Sequence, residues 1–125
     1  MLDYLVNYGI NKVSINYEDL DVTNKLMLQD QINSVRNNYS KLLNLLDEVQ
    51  SKYLECNAEI SKRSKELISS NDGKRTNSIF DSDDTYLELD AELSAYNQAM
   101  KMIQSQIEFC KNDLRILNSV FYNKF

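Results

Sequence analysis

Between Leu28 and Leu67, apolar residues return in steps of four and three. Ile32, Tyr39, Leu46, Tyr53, Ile60 and Leu67 fall in one register of a heptad seam, and Leu28, Val35, Leu42, Val49, Cys56 and Arg63 in the other, which predicts a single long helix. At helical rise, roughly 40 residues make a rod of roughly 60 Å, and no rod buries its own seam. A second series (Leu89, Leu93, Tyr96, Met100, Ile103, Ile107, Cys110, Leu114, Leu117, Phe121) repeats the stepping. Two seams of similar length with a short connection predict an all-α, coiled-coil-like antiparallel helical hairpin. Folding back midway between Ser69 and Asp84 sets Leu28 near Phe125, Leu67 near Tyr86 and Cys56 beside Tyr96 to Gln98.

Boundaries follow from residues that compete for backbone hydrogen bonds. Asp19, Asp21 and Thr23 are N-cap candidates, so helix 1 is expected over 19–70. Ser69-Ser70-Asn71-Asp72-Gly73 stops it, and 71–82 is expected as a loop whose Ile79 and Phe80 tuck onto the helices. Helix 2 is expected over 83–124, opening on Asp81-Ser82-Asp83-Asp84, with capping-box spacing from Thr85 to Glu88. An EF-hand placed on Asp81, Asp83, Thr85 and Glu92 would have Tyr86 where such a loop needs glycine, so no metal site is expected.

Residues 1–18 have a different texture. Val13, Ile15 and Tyr17 alternate with polar residues as in a short strand, and Asn7-Tyr8-Gly9 has turn chemistry. Tyr4 to Val6 would complete a hairpin, although a short helix from Leu2 to Tyr8 suits the same residues. The expectation is one domain over 1–125, with 1–18 as a β or irregular arm.

Composition narrows function more than fold. The chain has 125 residues, 26% charged, with no proline, histidine or tryptophan and two glycines. It therefore lacks the commonest general base and any glycine-rich phosphate loop, so neither catalytic residues nor a cofactor are expected. Its two cysteines fall on seam positions, where free thiols behave as small hydrophobes; the hairpin pairing keeps them roughly 18 Å apart, beyond disulfide reach. Without a signal-like segment or an apolar run of membrane length, a cytoplasmic location is expected, in the host if the chain is phage-encoded.

Helix 2 has a further apolar row beside its seam: Ala95, Ala99, Met102, Phe109, Ile116 and Val120. A hairpin covers one seam, so this row predicts a homo-oligomer packing through helix 2; cover by the N-terminal arm is the alternative. The net charge of −5 also conceals a gradient. Residues 31–80 carry eight positive and six negative charges, and 81–108 carry one and seven. Lys62, Arg63, Lys65, Lys74 and Arg75 gather around the turn and are the candidate nucleic-acid-binding residues. Arg63 on a seam position either marks a frayed hairpin end, its stem snorkelling to water, or binds a ligand.

The order of elements resembles the UvsY family of phage recombination mediators. The likeness rests on Ser14-Ile15-Asn16-Tyr17-Glu18-Asp19-Leu20, Asn38-Tyr39-Ser40-Lys41-Leu42-Leu43, Lys62-Arg63-Ser64-Lys65 followed by Asp72-Gly73-Lys74-Arg75, and a second helix opening on Phe80-Asp81-Ser82-Asp83. The resemblance implies a non-enzymatic, ring-like homo-oligomer that binds single-stranded DNA and helps a RecA-like recombinase replace a single-strand-binding protein. Lys62, Arg63 and Lys65 match the positions that contact DNA in that family. The chain departs from the family in its overall acidity, and the resemblance implies a somewhat longer basic tail than the end at Phe125 gives. The other reading of the same residues is an acidic helical-hairpin interaction module, such as a virion component, adaptor or inhibitor, that binds no nucleic acid.

Overall fold

The computed structural model describes residues 24–125. Its elements are α1 (Lys25–Ser70), α2 (Asn77–Asp81) and α3 (Asp84–Lys124), and α1 and α3 pack antiparallel as a helical hairpin. Among the described residues there is no strand. The arm over 1–18 and the cap candidates Asp19, Asp21 and Thr23 lie outside the described residues.

Asn24 caps α1. Its Oδ1 accepts the Met27 N–H at 3.1 Å, satisfying one donor that the first turn leaves open, and its carbonyl accepts the Leu28 N–H at 3.1 Å as the first bond of the helix. At the other end the amides of Asn71 and Gly73 both return to the Ile68 carbonyl, at 3.1 and 2.9 Å. That closure needs left-handed backbone at Asp72 (φ 55°) and Gly73 (φ 74°), a region glycine enters freely and aspartate tolerates. Helix 1 thus stops where its Ser-Ser-Asn-Asp-Gly sequence predicts.

The stretch expected as loop contains one helical turn, α2. It buries Phe80 to 7% exposure and stacks it on Tyr86 with ring centroids 4.9 Å apart. The tuck of Phe80 is as expected; the helix is not, because its five residues are too few to display a period. The α3 cap also differs in detail. Asp83 Oδ2 accepts the Tyr86 N–H at 2.8 Å and the Asp83 carbonyl accepts that of Leu87 at 3.0 Å, so the cap lies two residues before Thr85.

The chain divides into two compact units, 24–46 with 102–125, and 47–101. In the first, Leu28, Ile32, Val35 and Leu117 form a core flanked by Cys110, Leu114, Val120 and Phe121. Leu42, Leu45, Ile103 and Ile107 are also buried there. In the second, Val49, Cys56, Ile60, Phe80 and Ala99 are buried.

The buried face of α1 departs from the predicted seam. Leu45 is fully buried while Leu46, its neighbour in the predicted seam, is half-buried, as are Tyr39 and Tyr53. The covered face of α1 is centred on Leu28, Val35, Leu42, Val49 and Cys56 and leans toward Leu45, which leaves Tyr39 and Tyr53 at its margin. The pairing register moves too. In the second unit Cys56 lies against Leu89 and Arg63 against Asp83, whereas a symmetric fold-back puts Cys56 beside Tyr96 to Gln98. In the first unit Lys25 lies over the ring of Phe121. The shift is about one heptad. Its cause is the asymmetry of the turn: α1 runs two turns past Arg63, and the chain returns through α2 before α3 begins.

Candidate functional site

Arg63 sits one-third exposed on the inner face of α1, where its seam position puts it. Its Nε donates to Asp83 Oδ2 at 2.9 Å and its Nη2 to Asp83 Oδ1 at 2.6 Å, a two-pronged fork; Nη1 reaches Glu66 Oε2 at 3.2 Å. Asp83 is thus held by the guanidinium and by the Tyr86 amide, while it caps α3. The Arg63 hydrogen bonds, then that amide, bring the Asp83 carboxyl down to about 2. The same bonds raise Arg63. Arg63 is not frayed: its guanidinium is held within the hairpin by Asp83 and Glu66. It fastens α1 to the start of α3, with the bidentate geometry that makes arginine and lysine non-equivalent.

The other predicted cations divide. Lys62 and Lys65 are exposed and one turn apart on α1, and Lys74 is exposed just after Gly73. None of the three enters an ion pair among the described residues. Arg75 is exposed with its guanidinium 5.3 Å from the Phe80 ring centroid. That cation–π contact covers the aromatic nearest the basic cluster, and burial of Phe80 removes it as a stacking platform for a base.

In the outer row of α3, Ala95, Met102 (49% exposed) and Phe109 (63%) face water. Ile116 and Val120 are half-buried, Val120 against the Leu28–Leu117 core. Ala99 is 2% exposed, so its side chain is used inside the hairpin and offers no partner a contact.

Both cysteines are free thiols. The Cys56 thiol donates to the Leu89 carbonyl at 3.3 Å and approaches Glu92 Oε2 at 3.9 Å. Burial, then the Glu92 and Glu59 carboxylates, push its pKa up; burial and Asp113 do the same to Cys110. Raised thiols carry little thiolate, the reactive form, so neither has the setting of a nucleophile.

The residue missed in the sequence is Asp83. An arginine interrupting an apolar seam and an aspartate at the helix start across the turn together form the signal, and only the one-heptad register error separated them. Among the described residues no His, Cys, Asp or Glu group converges to hold a metal ion, and no helix is long and apolar enough to cross a membrane. No protein-family model, curated protein or solved structure matches the chain.

Proposed function

We propose that this protein is a homo-oligomeric, non-enzymatic recombination mediator. In this reading it binds single-stranded DNA at the turn end of the hairpin and helps load a RecA-like recombinase in place of a single-strand-binding protein. The observation that carries the reading is the division of the basic cluster: Arg63 is committed to Asp83, while Lys62, Lys65 and Lys74 stay exposed and outside the ion pairs of the described residues. Lysines on neighbouring turns track a phosphate backbone without base contacts, and an oligomer repeats the patch so that avidity offsets the net charge of −5. The predicted rim is therefore Lys62, Lys65 and Lys74, with Arg75 at its edge.

The test is a salt titration with a labelled single-stranded oligonucleotide. Replacing Lys62, Lys65 and Lys74 by alanine should weaken binding and lower the slope of log affinity against log salt by about 2 per subunit, at about 0.7 per lost contact. Helicity should not change, because all three side chains lie off the packed face. Failure of the unaltered protein to retain the oligonucleotide at about 50 mM salt would end this reading. The interaction-module reading would then take its place, favoured by the exposed Met102 and Phe109 and by the acidic run over 81–108.

A further inference from the structure

We infer that α3 pairs antiparallel with α3 of a second copy, along an uncharged stripe on its outer face, in a register set by Glu108 against Arg115 of the partner subunit. The inference does not depend on nucleic-acid binding.

The stripe is a second seam. From Met102 the outer face steps by three and four through Ser105, Phe109, Asn112, Ile116 and Ser119. None of these is charged, in a chain of which 26% is. The outermost positions of a hairpin helix normally carry charge, because they meet only water. Here they carry Met, Phe and Ile alternating with Ser and Asn. All are exposed except Ile116, which is half-buried, and Phe109 is 63% exposed. Large and small residues alternate, so two copies run in opposite directions fit each other: Phe109 over Asn112 of the partner subunit, Ile116 over Ser105 of the partner subunit, and Met102 over Ser119 of the partner subunit.

Charge at the edge of the stripe selects this arrangement. Glu108 and Arg115 are exposed and one heptad apart on the same edge. In the stated register each copy's Glu108 faces Arg115 of the partner subunit, giving two reciprocal attractive pairs about a twofold axis. Slipping by one heptad sets Glu108 against Glu108 of the partner subunit. A parallel pair sets Glu108 against Asp113 of the partner subunit. Both alternatives replace attraction with repulsion, so the sequence discriminates among pairings as well as permitting one. The present partners of these two side chains are local: Glu108 with Lys111 at 3.3 Å and Arg115 with the Asn112 amide oxygen at 2.9 Å. Exposed contacts one helical turn apart are weak and exchange readily.

Sedimentation of the full chain at tens of micromolar and low salt tests the pairing. The unaltered protein should self-associate. Glu108→Arg and Arg115→Glu should each weaken association by about tenfold, and the double variant should recover most of the loss, since the swap restores attraction. Phe109→Ser should weaken association with helicity unchanged. A monomeric unaltered protein, a double variant as weak as the singles, or association indifferent to Phe109→Ser would each overturn the inference. No DNA is present, so the two readings fail separately: an oligomer that does not retain the oligonucleotide ends only the mediator reading, and oligonucleotide retention by a protein that does not pair through α3 ends only this inference.

Discussion

Leu45→Ala is expected to cost about 2–5 kcal/mol of unfolding free energy, and Leu46→Ala less than half as much. The two leucines are adjacent and chemically identical, and they differ only in how the hairpin covers them. Leu45 has no exposed surface, so truncation forfeits its whole transfer free energy and leaves a cavity. Leu46 is half-buried and already loses part of that gain to water. A hairpin core has few layers in which neighbours can relax, which favours the upper part of the range for Leu45. Urea denaturation followed by far-ultraviolet circular dichroism measures both values. Equal losses, or a larger one at Leu46, would mean that the buried face of α1 is the evenly stepped seam and not the one leaning toward Leu45.

The second large effect lies in the Arg63–Asp83 clasp. Asp83→Ala should be the more damaging change, because it removes both the cap of α3 and the fork; Arg63→Ala leaves the cap in place. Arg63→Lys should behave much like Arg63→Ala, since an ammonium cannot form the fork. The double variant should lose less than the sum of the singles, as residues sharing one interaction do. The clasp also fixes a pH dependence. The Asp83 carboxyl titrates near 3.8 when unfolded and about 2 in the hairpin, so the folded state favours the ionised form. Its contribution is complete above pH about 4 and is lost as the pH falls toward 2. Asp83→Asn keeps a good N-cap residue and removes the charge, so its melting temperature should fall less steeply across that window. An unchanged acid limb in Asp83→Asn would remove Asp83 from the account.

The long-range pattern was legible in the sequence because a heptad repeat announces both helices and their hairpin. Ser69 to Gly73 marked the end of α1 through residue chemistry alone, and Phe80 was legible with Ile79 as an apolar pair in a polar stretch. Register was not. A symmetric fold-back is the natural guess when the turn is treated as formless, and one heptad of slippage keeps every apolar residue opposite another. The hydrophobic pattern therefore could not reveal the error. Only the polar exceptions carry that information, and Arg63 meeting Asp83 is the one that fixes it. The same slip explains why Arg63 could be grouped with Lys62 and Lys65 as a ligand-binding cation. The burial of Ala99 was not legible for a related reason: a small apolar residue beside a seam suits an outer row and a close helix approach equally well.

The overhang of α1 beyond Arg63 has a consequence for the order in which the molecule opens. Residues 64–70 run past the start of α3, and beyond the clasp their side chains are at most half-buried. We expect these residues, with the turn, to unwind locally while the layers around Val49, Cys56 and Ile60 stay closed. Amide hydrogen exchange should report this as a step: 64–70 exchanging by local opening, and 49–60 protected up to the stability of the whole unit. Lys65 and Lys74 lie within that segment and Lys62 on its boundary, so two of these three exposed lysines should gain freedom when it opens.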